Sequence, residues 1–176
     1  MFEKINWRKE VHDWLVSIVI AVVIAFLVRT FVVEPYMVEG PSMLPSLKTS
    51  ERLLVNKFIY VMGRPQKGEI VVFRYPRDPS RDFIKRVIAV GGDSIEIRDG
   101  RVYVNNSLQE ERYILEKFRG SYSRTIVPLD HVFVMGDNRN NSEDSRYSDV
   151  GFVPLGMIKG KAMVVFWPVA GWRLLP

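Results

Sequence analysis

The sequence predicts a mainly β protein: an antiparallel sandwich or barrel-like catalytic domain carried behind one amino-terminal transmembrane helix. Three observations predict it. The first is an apolar run from Trp14 to Val33, WLVSIVIAVVIAFLVRTFVV, whose only charge is Arg29. The second is the change of pattern from Pro35 onward, where apolar runs of strand length are cut by Gly, Pro, Asn and Asp and nothing reads as a long amphipathic helix. The third is the segment Ser94 to Asn105, SIEIRDGRVYVN, in which Ile95 and Ile97, then Val102 and Val104, alternate with polar residues around Asp99-Gly100. That dipeptide suits a two-residue type I′ turn, so the segment is a hairpin.

The apolar run is an anchor by length and composition. At about 1.5 Å per residue, 20 residues match a hydrocarbon core of roughly 30 Å. Arg29 then lies near one interface, its guanidinium reaching the headgroups. The run has no polar stripe, which argues against a buried soluble helix. It also lacks a small-x-small site at its end, which argues against a cleaved leader. Lys4, Arg8 and Lys9 precede it, whereas Glu34 and Glu39 follow before Lys48. By the positive-inside rule the short amino end is cytoplasmic. The expected division is a cytoplasmic stub at 1–13, the anchor at 14–33 and an extracytoplasmic β-rich domain at 34–176, in the plasma membrane with a single pass.

Further strands are expected at Glu69–Tyr75, Phe83–Val90, His131–Met135 and Ala162–Trp167, which are rich in Val, Ile and aromatics. The charged stretch Gln109–Arg124 reads as an excursion from the sheets. A chain of 176 residues can bury one substantial core. Its net charge of +5 suits an anionic membrane surface or nucleic acid without choosing between them.

Composition removes several chemistries. The chain has no cysteine, so disulfides, thiol nucleophiles and Cys-based zinc sites are excluded. Of its two histidines, His12 precedes the span and His131 opens an expected strand, a common place for an uncatalytic imidazole. There is no H-E-x-x-H, no G-x-S-x-G and no Gly-rich phosphate loop, so neither a metal nor another cofactor is expected. Two Asn-x-Ser sequons, at Asn105 and Asn140, bear on function only in a glycosylating pathway.

Two features then stand out. Gly40-Pro41-Ser42-Met43-Leu44-Pro45 holds one hydroxyl on a backbone restricted by two prolines, which suits a nucleophile and equally suits a linker behind the anchor. Lys85 lies inside Phe83-Ile84-Lys85-Arg86-Val87-Ile88, on one face with Phe83 and Val87. A buried lysine there would lose affinity for its proton and could serve as a base, while an edge-strand lysine with its ammonium in water would do nothing. A dense polar run, Met135 to Arg146, follows the strand His131–Met135 and by itself reads as a solvated turn.

Together, GPSMLPSL, FIKRVIAVGGD and GDNRNNSEDSR, in this order behind an amino-terminal span, closely resemble the sequence boxes of type I signal peptidases. The resemblance covers nearly the whole chain and looks closest to the short single-span enzymes of single-membrane bacteria. It implies a membrane-bound serine endopeptidase with a Ser-Lys dyad that removes signal peptides from exported preproteins after small residues, at Ala-x-Ala sites. It implies Ser42 as nucleophile and Lys85 as general base, with Ser142 hydrogen-bonded to the lysine and Asp144 supporting it. Arg146 is expected to pair with Asp144, and Gly136, Asp137 and Asn138 to shape the loop. The implied oxyanion donor is the Ser42 backbone N–H. Some members add a serine hydroxyl two residues earlier, where this chain has Gly40, so a second donor is not identified. Val38, Leu47, Phe83 and Ile84 match the walls of shallow pockets for small side chains. The implied partners are exported preproteins, the lipid bilayer and a nearby secretion translocon, with no nucleic acid. The amphipathic rings of Trp167 and Trp172 suit either the membrane interface or ordinary core packing, and the sequence does not choose between them. A self-cleaving regulator using the same dyad is the rival enzyme; such proteins carry a DNA-binding domain and no span. An anchored, non-enzymatic binding domain is the other rival.

Overall fold

The computed structural model describes residues 7–176. Lys4, the first of the charges that set the expected orientation, and residues 1–6 of the stub 1–13 lie outside them. Helix α1, Trp7–Phe31, is followed by one turn residue, and strand β1 begins at Val33. The helix therefore starts earlier than the expected anchor, and Val33 belongs to the domain. The part apolar enough to cross a membrane is Trp7–Leu27, and none of it is covered by the rest of the chain.

The remaining strands are β2 (Arg52–Asn56), β3 (Ile70–Tyr75), β4 (Asp78–Val90), β5 (Ser94–Arg98), β6 (Arg101–Val104), β7 (Ser107–Leu108), β8 (Tyr122–Ile126), β9 (His131–Met135), β10 (Val153–Pro154), β11 (Ile158–Trp167) and β12 (Arg173–Leu174). A single-turn helix, α2, spans Ile59–Met62. The large sheet runs β1-β2-β11-β3-β4-β9-β10, with β12 beside β11, and a second sheet runs β7-β6-β5-β8. Every pairing is antiparallel, as expected. In the β5–β6 hairpin both turn residues, Asp99 and Gly100, have positive φ. This is the backbone that a type I′ turn demands.

Three apolar clusters account for the packing. Val38, Met43, Leu47, Leu53, Val55, Ile70 and Val165 fill the space enclosed by β1, β2, β11 and β3. Val71, Phe73, Val87, Val132 and Val134 pack on the other side of β3, β4 and β9. Ile95, Ile97, Val102 and Val104 close the small sheet onto Ile88, Phe133 and Met135. The alternation in β2 and β5, buried residue by buried residue, reflects one covered face.

The feature that creates a site is a pair of free edges. β1 pairs only with β2, and β4 pairs with β9 only from Arg86 onward. Residues 78–85 of β4 are hydrogen-bonded to β3 on one side and open on the other. The large sheet curls until these two edges line the same cleft.

Candidate active site

Ser42 is held from below and from the side. Val38 N–H donates to the Glu51 carbonyl at 2.8 Å and Ser50 N–H returns the bond to Val38 at 2.9 Å, closing the loop that leaves β1. Met43 and Leu47 are fully buried and pull the Ser42 turn onto the core, where Leu47 N–H donates to Met43 O at 2.8 Å. From the other side, Asn138 N–H donates to Ser42 O at 3.0 Å and Asn138 Nδ2 to Pro41 O at 3.2 Å. The Ser42 backbone N–H has no acceptor among the described residues.

Lys85 comes from β4 and is 4% exposed. Its Nζ donates to Ser42 Oγ at 2.9 Å and to Ile84 O at 3.1 Å. It stands 5.0 Å above the Phe83 ring, the same-face neighbour that strand alternation predicts. Burial pushes the lysine down to about 8; Arg146 adds to that effect, while Asp144, Glu143 and Asp137 oppose it. The physical reason is desolvation of an ammonium that lacks a carboxylate in direct contact.

The loop 136–146 supports both groups. Asp144 is fully buried, accepts the Ser142 hydroxyl at 2.7 Å and the Gly136 N–H at 2.9 Å, and is gripped by Arg146 through Nε and Nη2, each at 2.7 Å. The pair of Asp144 with Arg146 is as expected. The expected bond between Ser142 and Lys85 does not occur among the described residues; the Ser142 hydroxyl donates instead to Asp144 Oδ2, the carboxylate oxygen that also takes the Gly136 N–H and Arg146 Nη2. Gly136 permits the close approach of the whole loop, since a methyl group there would collide with the Ser142 side chain and with Ser42 O.

Further residues hold this loop, and sequence reading passed over most of them. Arg86 points away from Lys85 and makes a two-pronged pair with buried Asp137, at 2.9 and 2.6 Å, while its Nη1 donates to Gly68 O. Arg139, without exposed surface, grips Glu111 and donates to Gly136 O at 3.1 Å. Tyr113 lies under the Arg86 guanidinium at 4.0 Å. Part of the expected excursion 109–124 is therefore a buttress for the site, and its last residues form β8. The available signal was the charge density of both segments, which only tertiary structure could pair.

The cleft has a volume of about 440 Å³ and is lined by Ser42 and Lys85, by Tyr36, Met37 and Gly40 on the β1 side, by Phe83 and Ile84 on β4, and by Glu143. Phe83 and Ile84 thus stand where a wall was expected. Val38 and Leu47 do not line it, because both face inward to the core beneath the Ser42 turn. Gly40 lies on the rim with φ +78° and open space where a side chain would project. His131 is not among the lining residues, and no cluster of metal-ligating side chains occurs among the described residues.

A family profile described as signal peptidase, peptidase S26, matches residues 11–167. The signal peptidase I P of Bacillus subtilis subsp. natto is 39% identical over 180 residues, covering 96% of this chain and 96% of that one. A probable signal peptidase I-2 of Synechocystis is 42% identical, over 90% of this chain and 74% of its own. The signal peptidase IB of Staphylococcus aureus is 36% identical over 94% of both chains. With the matched region spanning the apolar helix, the Ser42 turn, Lys85 and the loop 136–146 alike, this chain belongs to the signal peptidase family, peptidase S26.

Proposed function

We propose that this chain is an endopeptidase that removes signal peptides from exported preproteins at the outer face of the membrane it spans, with Ser42 as nucleophile and Lys85 as general base. The observation that carries the reading is the 2.9 Å contact between a buried lysine and the one serine hydroxyl of the cleft. Uncharged Lys85 accepts the Ser42 proton as Oγ attacks the scissile carbonyl. The oxyanion forms beside the unpaired Ser42 N–H, and Lys85 then returns the proton to the leaving amine. A water activated by the same amine hydrolyses the acyl-enzyme. Asp144 and Arg146 hold the supporting loop, and Ser142 acts through Asp144.

The two free edges favour an extended substrate, because a strand laid between 36–40 and 82–85 can hydrogen-bond to backbone on both sides. Phe83 and Ile84 then limit side-chain depth, which suits small residues before the cut. The amino end faces the cytoplasm in this reading, and the cleft works close to the bilayer and to the exit of the translocon.

The test is cleavage of a preprotein by the reconstituted chain and by Ser42→Ala and Lys85→Ala variants. Loss of about 10³-fold or more in kcat/KM in each, with unchanged circular dichroism, is expected. Retained cleavage in either variant removes the dyad; retained biological function in both favours an anchored binding domain.

A further inference from the structure

Glu143 is the residue between Ser142 and Asp144, and nothing in the dyad's chemistry requires it. It is exposed, lines the cleft, and receives the Tyr75 hydroxyl on Oε1 at 2.8 Å. Tyr75 is itself fixed, with its ring stacked on Phe83 at a centroid separation of 4.5 Å. Phe83 is the ring beneath the Lys85 ammonium. A carboxylate on the supporting loop is thus tied to the aromatic floor under the base.

The other acidic groups around Lys85 have cations of their own. Asp144 is paired with Arg146, Asp137 with Arg86 and Asp82 with Lys159. Glu39 also lines the cleft but stands on the segment after β1, across from Lys85. Arg81, the cation on the β4 rim, lies over the Tyr75 and Phe83 rings at 5.7 and 5.5 Å and makes no ion pair with Glu143 among the described residues. Glu143 is therefore an acidic group near Lys85 whose only partner among the described residues is a neutral hydroxyl, so its field on the lysine is not cancelled locally.

We propose that Glu143, tethered by Tyr75, is a positioning residue that stabilises the protonated form of Lys85 and so sets the pH at which the base becomes available and the readiness with which it holds the Ser42 proton for the leaving amine. The inference rests on Lys85 being the base. Burial and Arg146 act against the ammonium; Asp144, Asp137 and Glu143 act for it. Removing Glu143's charge should free the base at lower pH and leave a proton carrier with less hold on its proton.

The experiment measures kcat/KM against pH for a short Ala-x-Ala peptide with the reconstituted full chain. Glu143→Gln should move the acid limb down by about half a pH unit. Glu143→Asp should keep it near the parent position, and Tyr75→Phe should move it down by less, since the freed carboxylate swings into water. Because Glu143 is exposed, raising salt should move the parent limb toward that of Glu143→Gln and leave the variant's own limb nearly fixed. Glu110→Gln, an exposed carboxylate paired with Arg112, serves as the remote charge control and should leave the profile in place. An unmoved or raised limb in Glu143→Gln, or a uniform loss of activity at every pH, overturns the proposal. Failure of Ser42→Ala or Lys85→Ala to abolish cleavage would instead sink the dyad, a separate result.

Discussion

Lys85 carries a cost that the fold must meet elsewhere. An unfolded lysine titrates near 10.4, and burial brings this one down to about 8. Between those pH values the unfolded chain holds a proton that the folded chain has released, so stability rises with pH across that window and the ammonium burdens the fold below it. The burden is on the order of 3 kcal/mol. Lys85→Met keeps the stem and removes the charge, so it should abolish cleavage yet raise the unfolding temperature at pH 7 by several degrees, the gain shrinking toward pH 10.5. Thermal unfolding of both forms at the two pH values checks this; a variant less stable than the parent at pH 7 contradicts it. The catalytic limb has the same origin, and kcat/KM should climb as pH rises through about 8. At this scale the sequence was half legible. Alternation placed Lys85 beside Phe83, but whether its amine lay in water or in the interior depended on a loop 50 to 60 residues away.

Among the elements, the most legible were those whose instructions are local. Asp99-Gly100 needs only its own backbone preferences to turn, and the structure has both residues at positive φ. β1 was harder to read because Pro35 sits inside it; an edge strand tolerates the missing N–H, and β1 is an edge, but that follows only from the whole sheet. β4 extends back to Asp78 through polar Asp-Pro-Ser-Arg, exposed on the hairpin end and so without an apolar signature. The loop 136–146 is the extreme case, since its order comes from buried pairs with partners far along the chain. Asp144→Asn would leave Arg146 buried without its counter-charge, and about 3 to 5 kcal/mol of stability should go with it. Gly136→Ala should be milder for the fold and severe for the site. Its methyl must displace Ser142 or the Ser42 backbone, so cleavage should fall by about 10²-fold for a destabilisation of about 1 to 3 kcal/mol. A variant with parental activity would show that the loop yields without moving Ser42.

For the whole molecule, the question is how the domain lies against the bilayer that α1 enters. Only Val32 separates the helix from β1, and Lys57 N–H donates to Val32 O at 2.9 Å, so the large sheet is tied to the end of the anchor. Across neighbouring strands, Met37 is paired with Arg52 and Arg52 with Trp167. Met37 and Trp167 are each about half exposed, and Trp172 and Leu174 more so, which assembles an apolar margin at the same side of the sheet. Indole rings suit the headgroup region because one edge is polar and the body is not. In a reconstituted chain with Trp7 and Trp14 changed to phenylalanine, lipids brominated along the acyl chain should therefore quench the remaining Trp167 and Trp172. Changing both to alanine should lower cleavage of a membrane-inserted preprotein by several-fold and leave that of a short soluble peptide unchanged, because confinement to one surface raises effective concentration only for the former. Fluorescence that brominated lipids do not quench would place this margin in water, and the sheet would then stand off the membrane on the α1–β1 junction alone.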